Sequence, residues 1–211
     1  YSTTKTMSFL TALMLADRGE LDFDAPVARY WPEFAANGKQ DVRVWHVMNH
    51  AAGLPGMDEP MKPEDLYDWD KMCSALAAQA PWWEPGTATG YHAMTQGYLI
   101  GEVVRRISGQ TLGQFFATEI ARPLQADFHI GVPDSEFPRI ANLITVGDGE
   151  APAPDDPESM SARTFRNPFS PARYSWTDDW RKAEIPAANG HGNARSVARA
   201  QAPLACGGSA F

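Results

Sequence analysis

The apolar positions Met7, Leu10, Leu13 and Met14 recur with the three-and-four spacing of an α-helix, and residues 2–18 are built largely of good helix formers. Ser2 is the expected N-cap of this helix and Gly19 its C′ residue. Residues 20–38 place Pro26 and Pro32 between Tyr30, Trp31 and Phe34, which predicts a loop held down by aromatics. Helices are then predicted over 42–50, capped by Asp41, over 63–79, with Pro63 in the first turn, and over 93–107, closed by Gly109. Thr111 caps a further helix to residue 121, and Asn193 caps a last one to residue 205. Gly97 and Gly101 stand four apart, so another backbone can approach the helix that carries them. The segment 81–90, with Pro85 and Gly86, reads as a turn-rich loop. Strand signals are weak, with 127–132 and 143–146 the best candidates.

Between residues 146 and 180 the pattern is lost, because Pro152, Pro154, Pro157, Pro168 and Pro171 lie among Asp, Ser and Arg. A long excursion with little regular structure is expected there. The 211 residues are 44% hydrophobic and 11% aromatic, which suits one domain, or one and part of another, and excludes a disordered chain. No apolar run approaches the roughly 18 residues of a membrane span. Eighteen Lys and Arg face 26 Asp and Glu, without a basic stripe, so nucleic acid is not an expected partner. Cys73 and Cys206 are too few for a disulfide framework and fit a reducing compartment, which favours the cytoplasm. Residue 1 is Tyr and the last residues follow a helix C-cap directly, so the chain reads as the interior of a longer one, and a secreted or periplasmic location stays open. Oligomeric state is not legible.

Two constellations can carry chemistry. Ser2 and Lys5 lie three apart on one helix face, where a desolvated amine can take the hydroxyl's proton and the helix N-terminus favours a developing oxyanion. The plain alternative is a capping serine with a solvated lysine. Tyr91 follows the Gly86–Gly90 loop and precedes a helix, a place that faces a cleft, and a nearby cation would help its phenol act as a base. Its alternative is a packing tyrosine. Trp82 and Trp83, just before that loop, either line an acyl pocket or belong to the core. His46 and His50 have the spacing of a zinc-binding helix, but Val47 stands where a general-base Glu would be, so no metal is expected. Cys73 reads as a buried small hydrophobe, the Gly207–Ser209 stretch as a turn, and Gly190–Asn193 as a turn and cap that could border a cleft.

In order along the chain come Tyr1-Ser2-Thr3-Thr4-Lys5, Val47-Met48-Asn49-His50-Ala51-Ala52-Gly53-Leu54-Pro55, Glu84-Pro85-Gly86-Thr87 leading to Tyr91, Gly97 to Glu102, and Arg122-Pro123-Leu124. This order resembles the serine hydrolases of the class C β-lactamase type, which include penicillin-binding carboxypeptidases and carboxylesterases. The resemblance implies an α/β fold of the β-lactamase/transpeptidase kind, of which residues 1–211 form a partial domain. The helical part would span about 20–145, the Pro-rich excursion 146–180 and a return helix 193–206, with the flanking sheet strands missing. It implies Ser2 as nucleophile, Lys5 as base and Tyr91 as proton relay, with no cofactor. Trp82, Trp83 and His92 would be substrate-binding. Two departures matter: Ala93 stands where lactamases of this type carry Asn, and no Lys-Thr-Gly or His-Thr-Gly triplet follows Gly192. The first favours a short-chain ester over a β-lactam as substrate. A β-lactamase or D-Ala carboxypeptidase activity, and a non-catalytic scaffold of the same fold, are the alternatives.

Overall fold

In a computed structural model, which describes residues 1–144 and 156–208, the first helix α1 runs Thr3–Asp17 and ends at Gly19 with a left-handed φ of 73°. Its buried Met7, Leu10, Ala12 and Leu15 pack on α4 (Thr95–Ser108), whose Tyr98, Leu99, Val103 and Val104 are buried in turn. Each such Leu or Met contributes about 1.5–3 kcal/mol by leaving water. Tyr98 keeps its hydroxyl satisfied by donating to the Leu66 carbonyl at 2.6 Å. Around this pair lie α2 (Val44–Met48), α3 (Trp69–Ala78) and α5 (Leu112–Phe115), the last continued by a π-helical turn, Phe116–Ala121. Trp31 and Phe34, in the proline-bearing stretch, close the core from one side.

Several boundaries differ from the expected ones, each for a local reason. Ser2 sits at the N-cap of α1 but its backbone is already helical and its side chain makes no cap bond. The Val42 carbonyl accepts the Val27 N–H at 2.7 Å and Arg43 is extended, so α2 starts two residues later and Asp41 does not cap it. The predicted 63–79 helix is broken where the Asp68 carboxylate accepts the Lys71 N–H at 3.0 Å, leaving a 3₁₀ turn, Pro63–Tyr67, ahead of α3. Thr111 caps as expected, in a reciprocal box with Gln114.

The Pro-rich stretch carries more regular structure than its composition suggests. Helices α6 (Met160–Arg166) and α7 (Asp178–Lys182) are capped by Ser159 and Thr177, with a 3₁₀ turn, Ala172–Trp176, between them. Asn167 ties this stretch down: its amide donates to the Met57 and Glu59 carbonyls and accepts the Met61 N–H, each at 2.8 Å. Of the two predicted strands, the first shortens to β1 (Phe128–His129), which pairs antiparallel with β2 (His191–Gly192). Leu143 and Ile144 lie in no regular element, and the remainder of that prediction falls outside the described residues. The last helix, α8 (Ala194–Ala205), begins as expected, with Asn193 accepting the Ser196 N–H at 3.0 Å.

Both glycines of α4 are used for close approach. A Cβ on Gly101 would lie 2.4 Å from the Trp69 ring, and one on Gly97 would lie 2.4 Å from the backbone N of Ala187. Beside Gly101, buried Glu102 accepts from Trp69, Arg105 and Arg106, and Arg106 reaches on to Glu33. Burial alone would raise the Glu102 pKa, but the two guanidinium groups and the indole N–H outweigh it and hold the carboxyl below its usual value. Helix propensity alone would make Gly97→Ala stabilising by up to about 1 kcal/mol. The contact with Ala187 predicts the opposite, a loss of about 1–3 kcal/mol, read as a lowered urea midpoint.

Candidate active site

A stripe of polar side chains, Thr4, Lys5, Ser8 and Thr11, is buried on α1 among its apolar positions. Thr11 donates back to the Ser8 carbonyl, and the other three bond the segment between α7 and β2. Ser8 donates to the Pro186 carbonyl at 2.5 Å, and Thr4 accepts the Gly190 N–H at 2.8 Å. Asn189 fixes the same turn from behind, accepting the Ile185 N–H at 2.9 Å and donating to the Trp180 carbonyl at 2.8 Å. The turn therefore offers its Ala187 carbonyl to α1 in one position.

Lys5 uses that carbonyl. Its Nζ donates to Ala187 O at 3.0 Å and to Ala93 O at 2.6 Å, and lies 3.5 Å from Ser2 Oγ. Only 5% of the residue is exposed, and burial pulls the amine down to about 8. Among the described residues, no carboxylate forms an ion pair with it. The Tyr91 hydroxyl donates to Ser2 Oγ at 2.6 Å, and the Lys5 Nζ stands 4.9 Å from the Tyr91 ring centre. Ser2 and Tyr91 are both exposed, so the hydroxyl and the phenol meet solvent while the amine lies beneath them. Ser2 also opens α1, where first-turn N–H groups have no intrahelical acceptor. The three residues singled out from two distant motifs thus meet at one point.

Tyr91 is carried by an irregular segment laced to the loop after α2. The Trp82, Gly86 and Gly90 N–H groups donate to the carbonyls of Gly53, Ala51 and His50, at 2.7, 2.9 and 3.1 Å. Gly53 (φ 76°) and Gly86 (φ 87°) leave no room for a side chain: added Cβ atoms would lie 2.7 Å from Pro81 and from His46. His92, expected beside the substrate, is instead fully buried. Its Nδ1 bonds the Gly90 carbonyl at 2.6 Å and its Nε2 accepts the Leu54 N–H at 3.0 Å, so neither ring nitrogen is left for a ligand. Trp83 packs edge-on against His92 and donates to Ala88 O, and Trp82 donates to Asp58 under the Arg163 guanidinium. Both indoles are partly exposed, and among the described residues neither makes a hydrogen bond or ring contact with Ser2, Lys5 or Tyr91.

The remaining sequence candidates fall elsewhere. His50 lies outside α2, at a φ of 65°, and its Nδ1 accepts the His92 N–H, while His46 Nδ1 accepts the Arg43 N–H. Cys73 is buried and burial pushes its thiol up, away from reactivity. Asp127, His129 and Glu136 bring donor atoms within 4.8 Å of one another, but the Arg139 guanidinium bonds both carboxylates. Gly190–Asn193 does border a cleft, the one beside Tyr1, while His191–Gly192 forms β2, Gly190 and Gly192 clasp the Phe128 ring, and Asn193 caps α8. A cleft of about 610 Å³ opens beside Tyr1, bordered by His129, Trp180, Asn189 and His191. Among the described residues no helix is long and apolar enough to cross a membrane.

A serine at a helix start, a buried amine one turn on and a phenol closing over both, set in a mostly helical scaffold, define a class. The Beta-lactamase family model matches residues 1–204, and the chain belongs to that family. It is 38% identical over 99% of its length to a Mycobacterium tuberculosis protein named esterase/beta-lactamase LipL, half of which it covers. Its fold matches a family VIII carboxylesterase with a TM-score of 0.89 at 44% identity, over 97% of this chain and 54% of that one. A penicillin-binding protein homolog from Caulobacter crescentus matches with a TM-score of 0.88 at 41% identity, over 99% of this chain and 55% of that one. The chain thus spans about half the length of these relatives.

Burial lowers the pKa of both His50 and His92 to about 4, with the Lys5 charge adding to it in each case. Folding therefore favours the neutral rings, and the unfolded chain binds more protons between pH 6.5 and 4. Stability is predicted to fall as pH drops through this window. The urea midpoint should decline between pH 6.5 and 5, before most carboxylates titrate.

Proposed function

We propose that the complete protein carrying this chain hydrolyses short-chain carboxylic esters through an acyl-enzyme on Ser2. The observation that carries the reading is the set of partners around Lys5. As an ammonium, Lys5 donates to Ser2 Oγ and to the carbonyls of Ala93 and Ala187. Once one proton is lost, the two remaining N–H groups match the two carbonyls and the lone pair is left for the Ser2 hydroxyl. Desolvation sets this loss at about 8, within reach of neutral pH.

In this reading the neutral amine takes the Ser2 proton as Oγ attacks the ester carbonyl, forming the C–O bond of a tetrahedral intermediate. Collapse breaks the bond to the alcohol oxygen, which receives a proton by way of the Tyr91 phenol, 2.6 Å from Ser2 Oγ. Water then attacks the acyl-enzyme with the same groups returning their protons, and the acid departs. The cleft lined by Tyr1, the chain neighbour of Ser2, is the candidate space for the rest of a small substrate. Ala93 stands where the resemblance places the Asn of β-lactamases, and the missing amide favours esters. The relatives named esterase and carboxylesterase support the same substrate class.

With p-nitrophenyl butyrate as substrate, Ser2→Ala is expected to reduce turnover to background. Tyr91→Phe, which deletes only the hydroxyl, is expected to lower kcat by roughly 10²–10⁴-fold. Undiminished hydrolysis by Ser2→Ala would overturn the assignment.

A further inference from the structure

Tyr91 must hold its phenol on Ser2 although it is 43% exposed and belongs to no helix or strand. A tyrosine so placed is free to swing unless its backbone is fixed by neighbours. Both flanking N–H groups go to one residue. Gly90 N–H donates to the His50 carbonyl and His92 N–H donates to His50 Nδ1, each at 3.1 Å. The His50 ring also lies against the Tyr91 ring, with centroids 4.9 Å apart and planes inclined by 54°. Below, His92 Nδ1 closes onto the Gly90 carbonyl, so Gly90, Tyr91 and His92 form a tight arch with the phenol at its apex.

We propose that His50 is a positioning residue that aims the Tyr91 phenol at Ser2 by bonding the chain on both sides of it. The proposal rests on the role given to Tyr91 above. His50 meets the requirement in two ways. Its left-handed backbone, φ 65°, turns the carbonyl and the side chain toward the same arch, a conformation that His and Asn adopt more readily than most residues. Its Nδ1 must be an acceptor, which requires the neutral ring protonated on Nε2. The titratable groups facing it are Lys5 from α1 and Tyr91 and His92 from the arch; burial and the Lys5 charge both disfavour a cationic ring. The bond pattern is therefore kept across the neutral range.

Two substitutions in the complete protein separate positioning from bulk. In His50→Asn the amide oxygen takes the place of Nδ1 and the left-handed backbone is tolerated. In His50→Gln the amide sits one bond farther out and the His92 N–H loses its acceptor. With Ser2→Ala as the control that hydrolysis is the serine's, Asn is expected to keep kcat within about threefold, whereas Gln lowers kcat by ~10–100-fold with KM nearly unchanged. Equal kcat for Asn and Gln, or no loss in Gln, would overturn the proposal. Should either variant fail to fold, ¹⁵N NMR of the wild-type imidazoles decides instead: an unprotonated His50 Nδ1 is expected, and a protonated one would contradict the brace. Turnover surviving in Ser2→Ala would remove the esterase reading alone, and the NMR result would still decide whether His50 holds the arch.

Discussion

A lysine amine taken out of water has to be given oxygen atoms, and the way Lys5 receives them organises this chain. Its two carbonyl partners come from residues 88 and 182 positions away, one at the entry to α4 and the other in the turn before β2. Neither oxygen could be delivered without the packing around it. Gly97 lets the Ala187 backbone come against α4, Asn189 holds the turn, and Thr4 and Ser8 pin it to α1. The burial that disfavours the ammonium and the bonds that orient the amine are thus the same contacts that join three parts of the core. An unpaired buried charge would be costly, so the site and the fold cannot be separated energetically.

Ser2 and the Tyr91 phenol are treated in the opposite way. Ser2 ends up with an accessible hydroxyl because it does not spend its side chain on capping α1. Tyr91 stands in solvent on an arch whose rigidity comes from a second loop, through hydrogen bonds and glycines that allow the two backbones to touch. The arrangement places one hidden group and two open ones within a few ångströms, which suits a proton moving from a wet hydroxyl to a dry amine. The histidines that lace the loops stay neutral for the same reason that Lys5 is tuned, since each lies in apolar surroundings near its charge.

What the sequence made legible follows from where its signals reside. Helices announced by period and cap came through: α1, α4 ending at Gly109, and α8 behind Asn193. Boundaries failed where a single polar contact decided them, as at Asp68, or where the distant Val27 N–H took the Val42 carbonyl. The excursion after residue 155 was misjudged because Ser159 and Thr177 caps and the Asn167 bonds offset its prolines. Ser2, Lys5 and Tyr91 could be named because motifs carry them, and they meet in space. The carbonyls of Ala93 and Ala187 could not, since a backbone oxygen leaves no mark on composition. A weaker sign was available in the buried polar stripe of Thr4, Ser8 and Thr11 on an apolar face. The burial of His92 had no sign in the sequence, because its ring serves backbone groups of two neighbouring loops.

The central claim is that Ser2 is activated by a desolvated Lys5. The most direct measurement is covalent labelling of the complete protein by a fluorophosphonate, with the adduct located by peptide mass spectrometry and its rate followed against pH. The account predicts a single adduct on Ser2, forming faster as pH rises through about 8, where the amine gives up its proton. An adduct on another residue, or a rate on Ser2 indifferent to pH across that range, would contradict it.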